Sequence, residues 1–154
     1  MKNYQTLVKK ASLTIFVGGK EKDFGEGVIV MDYPEHKKHP SEQIKIAHEI
    51  VYAINSGAII VLNTFSDYIL IELSTLIILH RSFPDCADLM VRYGYNSMLP
   101  ECKVAVYEFT NDQYVFVPIS NAGIEIQSIS LTITKLVEIS DRVYYSYLDS
   151  LPEE

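Results

Sequence analysis

Two fully apolar runs, Val28-Ile29-Val30-Met31 and Ala58-Ile59-Ile60-Val61-Leu62, are each followed by a stretch of helical periodicity. That alternation is the rhythm of βαβα with parallel strands, because a chain returning to a parallel neighbour needs a crossover long enough to hold a helix. Four or five consecutive apolar residues suit strands covered on both faces. Between the runs Ser41 is placed to cap a helix in which Ile44, Ala47, Val51 and Ile54 recur at helical spacing, and Ser56-Gly57 ends it. After the second run the polar segment Asn63-Thr64-Phe65-Ser66-Asp67 leads into another helix beginning near Asp67. Such connections at strand carboxyl ends are where α/β sheets place their ligands.

Residues 82–101 read as loop, broken by Pro84, Gly94, Asn96 and Pro100, with a helical turn at 88–92. Lys103 to Phe109 and Gln113 to Ile119 alternate as half-buried antiparallel strands about a turn at Asn111-Asp112. A short strand is expected from Gly123 to Ile126. Leu131 to Leu148 then carries Leu136, Ile139, Val143, Tyr144 and Tyr147 at spacings suited to an amphipathic helix. The expected whole is one α/β domain over 1–154. Residues 27–81 form its βαβα core in a partly parallel sheet, and residues 103–150 add an antiparallel hairpin and a terminal helix.

A chain of 154 residues has the length of one domain. With 13 Lys and Arg against 20 Asp and Glu the net charge is −7, so a polyanion is repelled and direct nucleic-acid binding is not expected. Cys86 and Cys102 match no metal or redox spacing and suit a reduced, cytoplasmic setting. No signal-peptide cleavage pattern follows Lys9-Lys10. The most apolar window, Tyr68 to Leu79, is interrupted by Glu72 and is too short to cross a bilayer, so no membrane association is expected.

The most specific stretch is Asp32-Tyr33-Pro34-Glu35-His36-Lys37-Lys38-His39-Pro40 after the first run, taken with Thr64-Phe65-Ser66-Asp67 after the second. In order, spacing and intervening helix it resembles the distal half of ABC-type and AAA-type P-loop ATPases related to the overcoming-lysogenization-defect and RecF-like groups, many of them in phage-defence systems. There a strand ends in D-E-P-E-x-H-L-H-P and the next in the switch triplet T-H-S. The resemblance covers residues 27–150 loosely and is specific over 27–70. It implies a distal P-loop NTPase lobe in which Asp32 helps hold Mg²⁺ and Thr64 and Ser66 lie beside the nucleotide.

The departures fall on the chemistry. The position of the family's catalytic Glu is Tyr33, a phenol and a poor base at neutral pH. The switch His is Phe65, whose ring has no donor. No G-x-x-x-x-G-K-[ST] loop occurs, and Gly18-Gly19-Lys20, the nearest approach, is followed by Glu21.

Each residue also has a plainer reading. Asp32 serves equally as a cap for the turn after its strand. Asp32, Glu35, His36 and His39 hold metal-ligand chemistry, but Pro34 and Pro40 oppose a shared helix beneath the two imidazoles. Lys37-Lys38 suits a solvated turn, and His48 and His80 suit helix surfaces. Ser66-Asp67 lacks a nucleophile elbow and suits a helix cap. Cys86 and Cys102 have no adjacent His to form a thiolate. Tyr144, Tyr145 and Tyr147 suit either a partner face or packing of the last helix on the sheet.

The resemblance therefore implies a catalytically inactive, ATPase-like module acting through a protein partner or as a homo-oligomer. It would carry no cofactor alone. The alternative is a split ATPase subunit that supplies Asp32 and the switch segment to Mg-ATP held by a partner's phosphate loop. A third class is a small ligand-binding or enzymatic domain reusing the strand-end cleft. Without a first βα unit the sheet is expected to show an unpaired edge or apolar face unless residues 1–24 cover it.

Overall fold

A computed structural model describes residues 11–18 and 24–149. Its elements are β1 (Leu13–Val17), β2 (Val28–Asp32), α1 (Pro40–Asn55), β3 (Ile59–Thr64), α2 (Asp67–Ser82), α3 (Ala87–Tyr93), β4 (Val104–Thr110), β5 (Gln113–Val117) and α4 (Gln127–Asp149). The fold is α/β, built on one five-stranded sheet in the order β2-β3-β1-β4-β5. The first four strands in that order run parallel, and β5 pairs antiparallel with β4.

Alternation along the strands assigns the two faces. Leu13, Ile15, Val17, Ile60, Leu62 and Val106 point to one face, where α1 and α2 cover them with Ile46, Ile50, Ile54, Ile69, Leu73 and Ile77. Thr14, Phe16, Val61 and Tyr107 point to the other, where Phe24 packs on Phe16 with ring centroids 5.8 Å apart. The connection from β1 to β2 thus places Phe24 on the face opposite α1 and α2.

Several expectations change here. The central strand is β1, residues 13–17, so the segment before residue 27 joins the sheet rather than leaving it without its first strand. The run at 28–31 is an edge strand: β2 pairs only with β3 among the described residues, and Ile29 and Val30 are 51% and 39% exposed. An unbroken apolar sequence predicts two-sided burial, and only β3, with the same pattern, has it. Ser41 does not cap α1. His39 does so, because Pro40 fits the first helical position. The His39 ring nitrogen Nδ1 accepts from the Ser41 N–H at 3.3 Å, and Glu42 accepts from the His39 N–H at 3.1 Å. The buried stripe of α1 is Ile46, Ala47, Ile50, Val51 and Ile54, which leaves Ile44 exposed.

The turn of the β4–β5 hairpin is as expected: Asn111 and Asp112 both take positive φ, at 49° and 59°, as a two-residue primed turn requires. Residues 123–126 form no strand, only an isolated bridge between Ser120 and Gly123. The last helix does not pack on the sheet. Ile126 and Ile129 anchor the start of α4 to the core, and every residue from Leu131 to Ser146 is exposed.

Candidate functional site

The carboxyl ends of β1, β2 and β3 lie side by side and carry Gly18, Asp32-Tyr33 and Thr64-Phe65-Ser66. Beyond β3 the chain crosses to α2 on one face, and beyond β1 it reaches Phe24 on the other. Adjacent strands followed by residues packed on opposite faces open a crevice between their ends, the usual ligand position in such sheets. Here that crevice holds an aromatic ring. A Cβ on Gly18 would lie 3.4 Å from Phe65 Cε1 and 3.4 Å from Phe109 Cβ, and Gly18 has φ +78°.

Phe65 is held from two sides. Its ring stacks on Tyr33, centroids 5.5 Å apart and planes 17° from parallel. Its N–H donates to Glu35 Oε1 at 2.8 Å. Tyr33 extends the pairing of β2 with β3 by one bond, its N–H donating to the Asn63 carbonyl at 2.8 Å. It does so with φ 47°, a left-handed conformation that costs a bulky L-residue about 1–2 kcal/mol. Burial, then the charges of Asp32 and Glu35, raise the Tyr33 hydroxyl pKa above the ordinary 10.0. The phenol is a weaker acid than usual and offers no base near neutral pH.

The remaining candidate residues are bound to one another. Asn63 Nδ2 donates to Asp32 Oδ1 at 2.5 Å. Thr64 Oγ1 accepts from the Ser66 N–H at 3.0 Å. Ser66 Oγ accepts from the Ile69 N–H at 3.1 Å, capping α2, and donates to Gln43 Oε1 at 2.5 Å. The hydroxyls of Thr64 and Ser66 are thus both engaged within the chain. Two buried oxygens near this cluster, Asn63 Oδ1 and Glu35 Oε2, have no hydrogen-bond partner among the described residues.

Among the described residues the crevice presents the carbon of Phe65 and Phe109 beside Gly18, and the Phe65 amide is taken by Glu35. Residues 19 and 20 of the Gly18-Gly19-Lys20 segment lie outside the described residues. His36 is exposed and His39 serves the helix cap. Among the described residues no group of three His, Cys, Asp or Glu is placed to hold a metal ion.

Sequence reasoning singles out Asp32, Tyr33, Thr64, Phe65 and Ser66, and the structure brings all five to one end of the sheet. That reasoning gives Asn63 and Phe109 no role at the site, and weighs Gly18 only within Gly18-Gly19-Lys20 as the nearest approach to a phosphate loop. The signal for Asn63 is a polar residue ending an otherwise apolar buried strand. Gly18 needs the placement of β1.

A second polar cluster joins α1 to α2. Glu72 is buried and accepts from His48 Nε2 at 2.8 Å and from the Tyr95 hydroxyl at 3.4 Å. A carboxylate only accepts, so this hydrogen bond requires a proton on His48 Nε2. His48 is therefore a structural partner for the one charge that interrupts the apolar window of α2.

No family model, curated protein or solved structure matches the chain. Among the described residues no helix is long and apolar enough to cross a membrane.

Proposed function

We propose that this chain is a catalytically inactive, ATPase-like interaction module, acting as a companion subunit or a homo-oligomer in a phage-defence setting of the kind the sequence resemblance implies. The observation that carries the reading is the Tyr33–Phe65 stack. By that resemblance the two aromatic residues occupy the positions of a water-polarising Glu and a phosphate-sensing His, and the ring of Phe65 lies in the crevice beside Gly18. Neither ring supplies a base or a charged donor, so hydrolysis by the family route has no residue to carry it. The exposed apolar surfaces of β2 and α4 favour a role in binding protein.

Asp32 sustains a second reading. It keeps its strand-end position beside Asn63, and Glu35 Oε2 and Asn63 Oδ1 are buried without hydrogen bonds among the described residues, which suits a split subunit completing a partner's Mg-ATP site. Native mass spectrometry of the tagged chain from its own host, with and without Mg-ATP, separates the two. The inactive module is retained with its partner or as an oligomer indifferent to nucleotide. The split subunit yields a larger ATPase whose complex changes with Mg-ATP and whose hydrolysis is lost on Asp32→Ala.

A further inference from the structure

Among the described residues the most conspicuous unpartnered surface is that of α4. At 23 residues it extends roughly 34 Å. Its apolar residues are not scattered: Ile133, Leu136, Val137, Val143 and Tyr144 fall on one stripe, with Ser140 at its middle, while Lys135, Glu138, Asp141 and Arg142 occupy the opposite side. We propose that the stripe pairs with the α4 of a second copy, antiparallel, about a two-fold axis at Ser140. The proposal rests on the interaction-module reading and names its partner.

Charge narrows the occupant. α4 has two cations, Lys135 and Arg142, and three anions, Glu138, Asp141 and Asp149, so only one of the net −7 resides on it. A helix of net charge −1 with both signs interspersed meets its own copy with little repulsion and gives little electrostatic attraction to a strongly acidic or basic partner. It also lacks the Lys/Arg-rich face with which amphipathic helices bind anionic lipid.

Pattern selects the direction. In an antiparallel pair centred on Ser140, Leu136 faces Tyr144 of the other copy, Val137 faces Val143, and Ser140 faces itself. Tyr144 thus meets the smaller Leu136, the two valines meet each other, and the single polar residue at the middle of the stripe finds a hydroxyl partner. A parallel pair would set Tyr144 against Tyr144 and bring two chains of charge −7 side by side.

The far end of the partner helix then reaches the root of α4, where an apolar groove of about 260 Å³ is lined by Phe65, Asp67, Ile129, Thr132 and Ile133. Six half-exposed apolar side chains per copy, Ile139 included, at on the order of 100 Å² each bring the pair to roughly 1,200 Å², the small end of specific interfaces.

Sedimentation equilibrium of the full chain at micromolar concentration tests this, together with disulfide trapping in a Cys102→Ser background, Cys102 being the exposed free thiol. The expected results are a dimer, conversion to a folded monomer by Leu136→Lys with Val143→Lys, and rapid self-linkage of Ser140→Cys but not of Ile133→Cys. Far-UV circular dichroism and thermal unfolding verify that the lysine variant keeps its fold. A monomeric parent at tens of micromolar, a dimer indifferent to the two lysines, or self-linkage of Ile133→Cys as fast as that of Ser140→Cys each overturns the pairing. None of these outcomes touches the inactive-site reading, which stands or falls on Mg-ATP binding.

Discussion

Tyr33 and Phe65 lie on neighbouring strand ends with their rings stacked at 5.5 Å, and the amide of Phe65 is bound by Glu35, two residues beyond Tyr33. The two loops are therefore tied to each other. A double-mutant cycle with Tyr33→Ala and Phe65→Ala is expected to give a coupling of about 0.5–1.5 kcal/mol in urea unfolding. Because Tyr33 sits at positive φ, Tyr33→Gly should be more stable than Tyr33→Ala by about 1 kcal/mol. Equal stabilities would contradict the backbone account.

Alkaline pH should act through the tyrosines. Burial raises the hydroxyls of Tyr33, Tyr95 and Tyr107 above 10.0, with Asp32 and Glu35 adding at Tyr33 and Glu72 adding at Tyr95. A raised folded pKa means that the unfolded chain releases its phenolic protons first. Stability from these groups is then complete below pH 10 and falls as pH rises through the folded values. Urea midpoints across that range should show the loss, and Tyr95→Phe should make it shallower.

For the Glu72 cluster the asymmetry of buried charge gives a sign. His48→Leu leaves a buried carboxylate with only the longer Tyr95 bond and should cost about 1–3 kcal/mol. Adding Glu72→Leu should recover part of that loss, because the unpaired charge goes with it. A double variant less stable than His48→Leu alone would assign Glu72 another partner.

Two glycines separate strain from collision. Gly94 ends α3 at φ +73°, and a methyl group added there would meet nothing within 4 Å among the described residues, so Gly94→Ala should cost about 1 kcal/mol. At Gly123, φ +102°, the same methyl would collide with Ser74 Cβ. Ser74 is fixed there, donating to the Leu70 carbonyl at 2.8 Å and accepting from the Ile124 N–H at 2.9 Å. Gly123→Ala should therefore cost at least about 2–3 kcal/mol. Thermal unfolding of the pair reads the difference.

Much of the fold is legible in the sequence because apolar runs and helical spacing report burial directly. β3, α2, the 111–112 turn and the terminal helix stand close to where the sequence places them. Neighbour order is what the sequence does not carry. Four apolar residues at 28–31 look the same whether the strand is central or at an edge, and a short run at 13–17 gives no sign that it will pair with both β3 and β4. The end of α4 misleads for a related reason: periodicity announces an apolar stripe, not what covers it. At the site, motif spacing locates Asp32, Tyr33, Thr64, Phe65 and Ser66. The contact of Phe65 with Gly18 depends on strand order and is invisible in the sequence.

Isothermal titration of Mg-ATP into the purified full chain tests the central claim most directly. The account predicts no binding heat at nucleotide concentrations up to the millimolar range, and none for Asp32→Ala. Saturable binding by the parent chain that Asp32→Ala abolishes would contradict it, showing that the Tyr33–Phe65 pair yields to a nucleotide and that the strand ends still hold one.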